Sequence, residues 1–265
     1  MDAFWGSYAL AGRPGARYAL RHPLALWRAV RAAHRLPLVP VAPSSTPGGR
    51  AVGAAARTKT VLGIPSRVLG TSALAIPAET GAYLAGRSAA TLRRKVRAAQ
   101  RAGVVVEAVR DRAEREHLVA LADERERQHP DPTYRVAEPD NQDLLDHDLC
   151  LVARGPDGSP LLLSVTPVDR DLATLRYFRT LGSGPLHSDA RYLVTAELVD
   201  RLSARGVRWL LDTEPVSTQT SGLRHFQRML GFQYVRVRLA RTPATGGATA
   251  GWHAVHAVAG YAAVL

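Results

Sequence analysis

Residues 188–239 alternate helix, strand, helix, strand, an order that leaves few topologies open. His187-Ser188-Asp189 offers an N-cap, Val194, Leu198 and Leu202 recur at helical spacing, and Gly206 stops the run. Val207-Arg208-Trp209-Leu210-Leu211 follows as a short, largely buried strand that ends at the polar Asp212-Thr213-Glu214. A second helix carries Leu223, Phe226 and Leu230 on one face and closes on Gly231-Phe232. From Tyr234 the chain alternates, with Val235, Val237 and Leu239 on one side and Tyr234, Arg236 and Arg238 on the other.

With 265 residues, 46% of them hydrophobic, the chain can bury a real core, as one large domain or one domain with an extension. The single cysteine, Cys150, excludes an intramolecular disulfide and a cysteine-rich metal site. Its apolar surroundings, Leu149-Cys150-Leu151-Val152, read as a buried strand rather than a nucleophile's setting. Met1 to Gly12 lacks a charged start followed by an apolar core, and no apolar run approaches the ~20 residues needed to span a bilayer. The expected location is cytoplasmic, in a reducing compartment. The net charge of +12 favours phosphate-rich partners, nucleic acid or anionic lipid. Nearly all of it is arginine, since Lys59 and Lys95 are the lysines, and a compositional bias toward Ala, Gly, Pro and Arg explains the total equally well. Where the charge clusters is the better guide.

Arg21 to Arg35 reads as a basic amphipathic helix, with Leu24, Trp27 and Val30 between Arg28, Arg31 and Arg35. Such a helix lies on a membrane surface or docks on its own domain, and Pro23 and Pro37, which keep it short, favour docking. Pro40 to Ala56 has the composition of a linker or surface loop, and Val61 to Ile76 holds short β-prone pieces. Thr80 to Arg101 is expected as one helix, with Leu84, Leu92, Val96 and Ala99 inward and Arg93, Arg97 and Arg101 on an outer stripe broadened by Arg87, Arg94 and Lys95. Gly103 ends it, and Val104 to Val109 is a strand. Arg112 to His129 is a second charged helix with Leu118, Leu121 and Ala122 inside. Leu149 to Arg154, Pro160 to Val168 and Leu172 to Thr180 are three strands joined by turns.

The phrase Gly222-Leu223-Arg224-His225-Phe226-Gln227-Arg228-Met229-Leu230-Gly231-Phe232 resembles the closing helix of GNAT-type acyltransferases, and the order of elements from Val104 to Arg241 is similar to theirs. The basic run Leu92-Arg93-Arg94-Lys95-Val96-Arg97-Ala98-Ala99-Gln100-Arg101 is similar to the helix that introduces the GNAT-like domain of Fem-type aminoacyltransferases. The resemblance implies an α/β (α+β) fold: a GNAT-like mixed, mostly antiparallel sheet with helices on both faces. It divides the chain into an N-terminal extension (1–79), a GNAT-like domain (80–241) and a C-terminal tail (242–265). CoA-dependent members place a glycine-rich pyrophosphate loop before the long helix. Here that position reads Gly184-Pro185-Leu186-His187-Ser188-Asp189-Ala190-Arg191, with a negative charge at Asp189. The general-acid tyrosine of many acetyltransferases is replaced by Gln227.

These departures favour a donor activated as an ester on tRNA, with no cofactor. The implied activity is aminoacyl transfer from aminoacyl-tRNA to an amine acceptor: a peptidoglycan precursor, a lipid or a small metabolite. An acyl-CoA donor held atypically is one alternative, and a non-catalytic module binding RNA or an anionic membrane is another. In such folds the reaction centre lies where the fourth and fifth strands part, which singles out Asp212 and Glu214 to orient the amine or relay its proton, and Tyr177 as an oxyanion donor. Asp212 is equally readable as a turn cap, and Tyr177 as a packing residue. His187, Ser188, Arg191 and Tyr192 are donor-binding candidates at a helix start, with Ser188 a cap first. Arg93, Arg94, Lys95, Arg97 and Arg101 are candidates for phosphate contacts, since the charges from Arg87 to Arg101 meet no acidic residue in that run. His225, His253 and His256 lack metal-ligand spacing, and no metal is expected. Peripheral membrane contact through 21–35 stays open, and residues 252–265 read as a strand or a docking segment.

Overall fold

The computed structural model describes residues 4, 6–8, 16–59, 65–86, 89–132, 135–216 and 218–240. Arg87 and the expected C-terminal tail lie outside the described residues. In chain order the helices are α1 (Ala16–Arg21), α2 (Pro23–His34), α3 (Pro47–Arg57), α4 (Ser66–Leu69), α5 (Ala90–Arg101), α6 (Arg112–Arg127), α7 (Pro185–Ala204) and α8 (Ser221–Met229). The strands are β1 (Leu38–Val41), β2 (Thr71–Ala75), β3 (Val105–Ala108), β4 (Cys150–Arg154), β5 (Pro160–Val165), β6 (Val168–Asp169), β7 (Leu172–Leu175), β8 (Tyr177–Thr180), β9 (Trp209–Asp212) and β10 (Gln233–Leu239). Short 3-10 turns lie at Ala82–Leu84 and Gln142–Asp146.

The strands form two sheets, ordered β3-β4-β5-β8 and β1-β10-β2-β9-β7-β6. The first is wholly antiparallel, and the second is antiparallel except for β1 with β10 and β7 with β9. One nearly continuous segment joins them. Leu172–Leu175 pairs with β9, the chain breaks step at Arg176, and Tyr177–Thr180 pairs with β5. A bidentate bond from Arg176 to Asp143, at 2.8 Å through each nitrogen, holds the break. The sheet therefore opens between β8 and β9. This is the expected fold class: a mixed, mostly antiparallel sheet with helices on both faces.

Burial on both faces explains the continuous apolar reading of β4 and β5. Leu151, Ala153 and Leu162 face Leu92, Val96 and Ala99 of α5 and the long apolar face of α7. Cys150, Val152, Leu163 and Val165 face Leu118, Val119 and Ala122 of α6. Cys150 is the buried strand residue expected, and desolvation pushes its thiol up to about 11. On the second sheet, α3 covers Val39, Ala73, Leu211, Val235 and Val237.

Three local expectations are corrected. The stretch read as a linker, 40–56, contains α3: Thr46 accepts from the Gly49 amide at 3.0 Å, Pro47 occupies the first turn, and six of its residues are buried. Its glycines and alanines serve close packing rather than looseness. The helix expected from Thr80 begins only at Ala90. Gly81 and Gly86 adopt positive φ (83° and 78°), and the 3-10 turn between them interrupts the run. Ser188 is not the cap of its helix. That place is taken by Gly184 (φ 112°) with Pro185 in the first turn, and the Ser188 hydroxyl accepts instead from Arg191 Nη2 at 3.1 Å. Residues from the expected N-terminal extension enter the sheet itself, since β2 lies between β9 and β10 and β1 lies beside β10.

Candidate active site

β9 delivers Asp212 to the point where the sheet parts. The residue is 3% exposed, yet it ends a strand whose other members are apolar. Its carboxylate accepts from Gln227 Nε2, from the Glu214 amide at 3.2 Å and from Gln219 Nε2 at 3.4 Å. A second layer orients the amides: Ser72 donates to Gln227 Oε1 at 2.8 Å, and the Tyr234 hydroxyl donates to Gln219 Oε1 at 3.1 Å. Desolvation raises the Asp212 carboxyl to about 6, against the hydrogen bonds that favour its charged form. A carboxylate so poised exchanges protons near neutral pH, which is what general base chemistry requires. Glu214, also buried, shares the loop.

The sequence singles out Asp212 and Glu214 as candidates but not the side chains that bond to Asp212. Gln219, Gln227, Ser72 and Tyr234 come from a loop, α8, β2 and β10. Only Gln227 left a trace: it is a polar residue on the apolar stripe of Leu223, Phe226 and Leu230. Beside it, Phe178, Leu198, Leu210 and Phe226 close around a slot of about 10 Å³, room for about one water molecule.

Tyr177 is not brought to Asp212. Its ring packs among the α6-facing side chains while Phe178 faces the slot. Burial, then the Glu126 carboxylate, raise its hydroxyl above the ordinary tyrosine range. Glu126 is itself paired with Arg179 at 3.0 Å.

Of the donor candidates on α7, Arg191 and Tyr192 meet the Phe226 ring beside this region, and Ser188 bonds to Arg191. The Tyr192 ring meets Phe226 edge-on at 5.3 Å, and the Arg191 guanidinium lies 4.9 Å from the same ring. Burial, then nearby Arg125, push the His187 ring below the ordinary histidine range.

The basic helix divides by role. Lys95 pairs with Asp189 at 2.9 Å and lies 5.8 Å from the Tyr192 ring, so the cluster does meet an acidic residue, supplied by α7. Arg93 donates to the Leu84 and Gly86 carbonyls, the first at 2.7 Å. Arg94, Arg97 and Arg101 remain exposed along a surface groove with Gln100. Contacts in series, Lys95 to Tyr192 to Phe226 and its neighbour Gln227, tie this helix to the buried carboxylate. Among the described residues no group of three or more His, Cys, Asp or Glu is placed to hold a metal ion, and no helix is long and apolar enough to cross a membrane.

The structure is similar to the C-terminal DUF2156 domain of a putative lysylphosphatidylglycerol synthetase from Agrobacterium fabrum. The identity is 16% and the TM-score 0.47, over 63% of this chain and 57% of that one. It is also similar to L-PGS from Bacillus licheniformis, at 13% identity and a TM-score of 0.46, over 62% of this chain and 57% of that one. Both likenesses are partial. The chain spans less than two thirds of the length of either neighbour. No known protein family and no curated protein matches the sequence.

Proposed function

We propose that this chain is an acyltransferase that moves an aminoacyl group from aminoacyl-tRNA to an amine acceptor. The observation that carries the reading is Asp212, a buried carboxylate with its proton affinity near neutrality, set where the sheet parts and joined through α7 and α8 to an exposed arginine face. Transfer needs the amine as a free base. Asp212 takes the proton as the nitrogen attacks the ester carbonyl and returns it to the leaving oxygen; the carbon–nitrogen bond forms, the ester bond breaks, and the tRNA leaves as its hydroxyl. Arg94, Arg97 and Arg101 hold the tRNA backbone through phosphate contacts, which give affinity without sequence reading. Arg191 and Tyr192 line the approach at the start of α7.

The first turn of α7 supports an ester donor over acyl-CoA. It opens with Pro185, which lacks an amide proton, and Asp189 follows at the start of the next turn. The reading requires no cofactor.

The test is binding of the purified chain to charged tRNA and to acetyl-CoA at two salt concentrations. The expected result is tight, steeply salt-dependent tRNA binding, followed by loss of the ester when amine acceptors are supplied. Acetyl-CoA binding without tRNA affinity overturns it in favour of an acyl-CoA-dependent enzyme. Binding of tRNA with no ester loss in wild type, for any acceptor supplied, points to a non-catalytic RNA-binding module.

A further inference from the structure

We infer that α1 and α2 form a docking face for an anionic lipid bilayer. The two helices abut at His22, whose φ of −127° and ψ of 55° break the helix; its amide closes α1 on the Tyr18 carbonyl at 3.1 Å, and its carbonyl opens α2 by accepting from the Leu26 amide at 3.0 Å. The inward side of the pair is settled. Ala29 and Ala33 are buried, and Ala25, Leu26 and Val30 pack against Leu69, Val216 and Tyr234. The opposite side presents large apolar groups to solvent: Leu20 is 79% exposed, Leu24 73% and Trp27 57%. Leu24 and Trp27, three residues apart on α2, share one stripe, and Leu20 stands exposed near the end of α1.

Packing on its own domain accounts for one face of α2 and leaves this stripe over. Arg17, Arg21, Arg28, Arg31 and Arg35 are exposed around it, and among the described residues no carboxylate is in salt-bridge contact with them. The Arg31 guanidinium stands 5.3 Å from the Trp27 ring. No acidic residue occurs between Asp2 and Glu79. Arginines flanking an exposed Trp/Leu stripe match the chemistry of an anionic interface, where the apolar groups enter the acyl boundary and the guanidinium groups meet phosphate. A nucleic acid would use the arginines and leave Leu20 and Leu24 in water, so the apolar stripe decides for lipid. The inference does not rest on the transfer chemistry.

The experiment is co-flotation of the full chain with vesicles of phosphatidylcholine alone and of phosphatidylcholine containing one quarter phosphatidylglycerol. Wild type is expected to float with the anionic vesicles only. The double variants Leu24→Ser/Trp27→Ser and Arg28→Glu/Arg31→Glu are each expected to lose at least about tenfold in partitioning. All four positions are exposed, and an unchanged melting curve checks that the variants fold. Reversal of Arg94 and Arg97 on α5 is expected to leave flotation within about twofold. Flotation unchanged in both double variants overturns the inference. So does loss of tRNA binding rather than flotation in the arginine pair, or a concentration-dependent dimer that the Leu24/Trp27 variant abolishes.

Discussion

Asp212 combines two properties that usually oppose one another: it is buried among apolar strands, and it is supplied with donors. An unfolded carboxyl titrates near 3.8, whereas burial lifts this one to about 6. Between those values the native state holds a proton that the unfolded state has released. Stability therefore falls as pH rises through that window, and above about pH 6 the whole penalty stands, about 3 kcal/mol for a shift of about two units. Asp212→Asn removes the charge and keeps an acceptor for Gln227. It is expected to be more stable than wild type at pH 7, by up to about 3 kcal/mol, with the difference vanishing toward pH 4; urea titrations across pH measure this. The same substitution is expected to lower aminoacyl transfer at least about 100-fold, and the wild-type rate to rise with an apparent pKa near 6. A stabilised, inactive Asn variant is the signature of a strained functional carboxylate, whereas a turn cap predicts lost stability and retained activity. Gln227→Leu tests the support. It strips Asp212 of one donor and leaves the Ser72 hydroxyl without its acceptor, for an expected loss of about 1–3 kcal/mol by chemical denaturation.

At the scale of elements, α3 shows how closely packing and composition are coupled. A Cβ on Gly48 would stand 2.0 Å from the Val168 carbonyl oxygen, backbone that cannot swing aside. The approach is fixed from the other side by Asp169, which accepts from the Ser44 amide at 2.9 Å and from its hydroxyl at 2.6 Å. Gly48→Ala is expected to destabilise by about 3 kcal/mol, read as a lower urea midpoint at unchanged slope. The same element marks the limit of what could be read in advance. The helix–strand–helix–strand run ending at Leu239 was legible because its helices close on local signals, Gly206 and Gly231 in positive φ at 71° and 85°, although the first helix starts after Gly184 rather than at Ser188. Nothing local says that a short apolar strand at Thr71–Ala75 will enter between β9 and β10, since that pairing is decided by long-range burial. Nor does a Pro-Gly-Gly segment announce a helix when its small residues are there to let backbones touch. The candidate site divides in the same way. A polar strand end made Asp212 visible, while partners gathered from four separate elements carried no shared spacing.

Across the whole molecule the question is whether a net charge of +12 is composition or function. Many arginines are consumed in holding the fold. Arg115 donates to the Val109 and His147 carbonyls, Arg154 binds Glu107 and Glu114, Arg176 binds Asp143, and Arg208 binds Asp171. Of the arginines that remain, exposed runs on one helical face lie on α1–α2 and on the outer stripe of α5. The two stripes differ in kind, because α5 exposes arginines without large apolar neighbours. Contacts of that type release counterions from a phosphate backbone, so affinity follows salt with a slope set by the number of phosphates engaged. Reversing Arg94, Arg97 and Arg101 to Glu removes up to three contacts without touching Lys95, which is committed to Asp189, or Arg93, which closes the turn before the helix. The triple variant is expected to weaken charged-tRNA binding steeply and to reduce the slope of log affinity against log salt by about 2 to 3. Filter binding across a salt series measures both quantities. A weaker affinity at an unchanged slope means that the arginines act through structure and not through phosphate. If neither quantity moves, the stripe is a solvated face and the tRNA reading loses its main support.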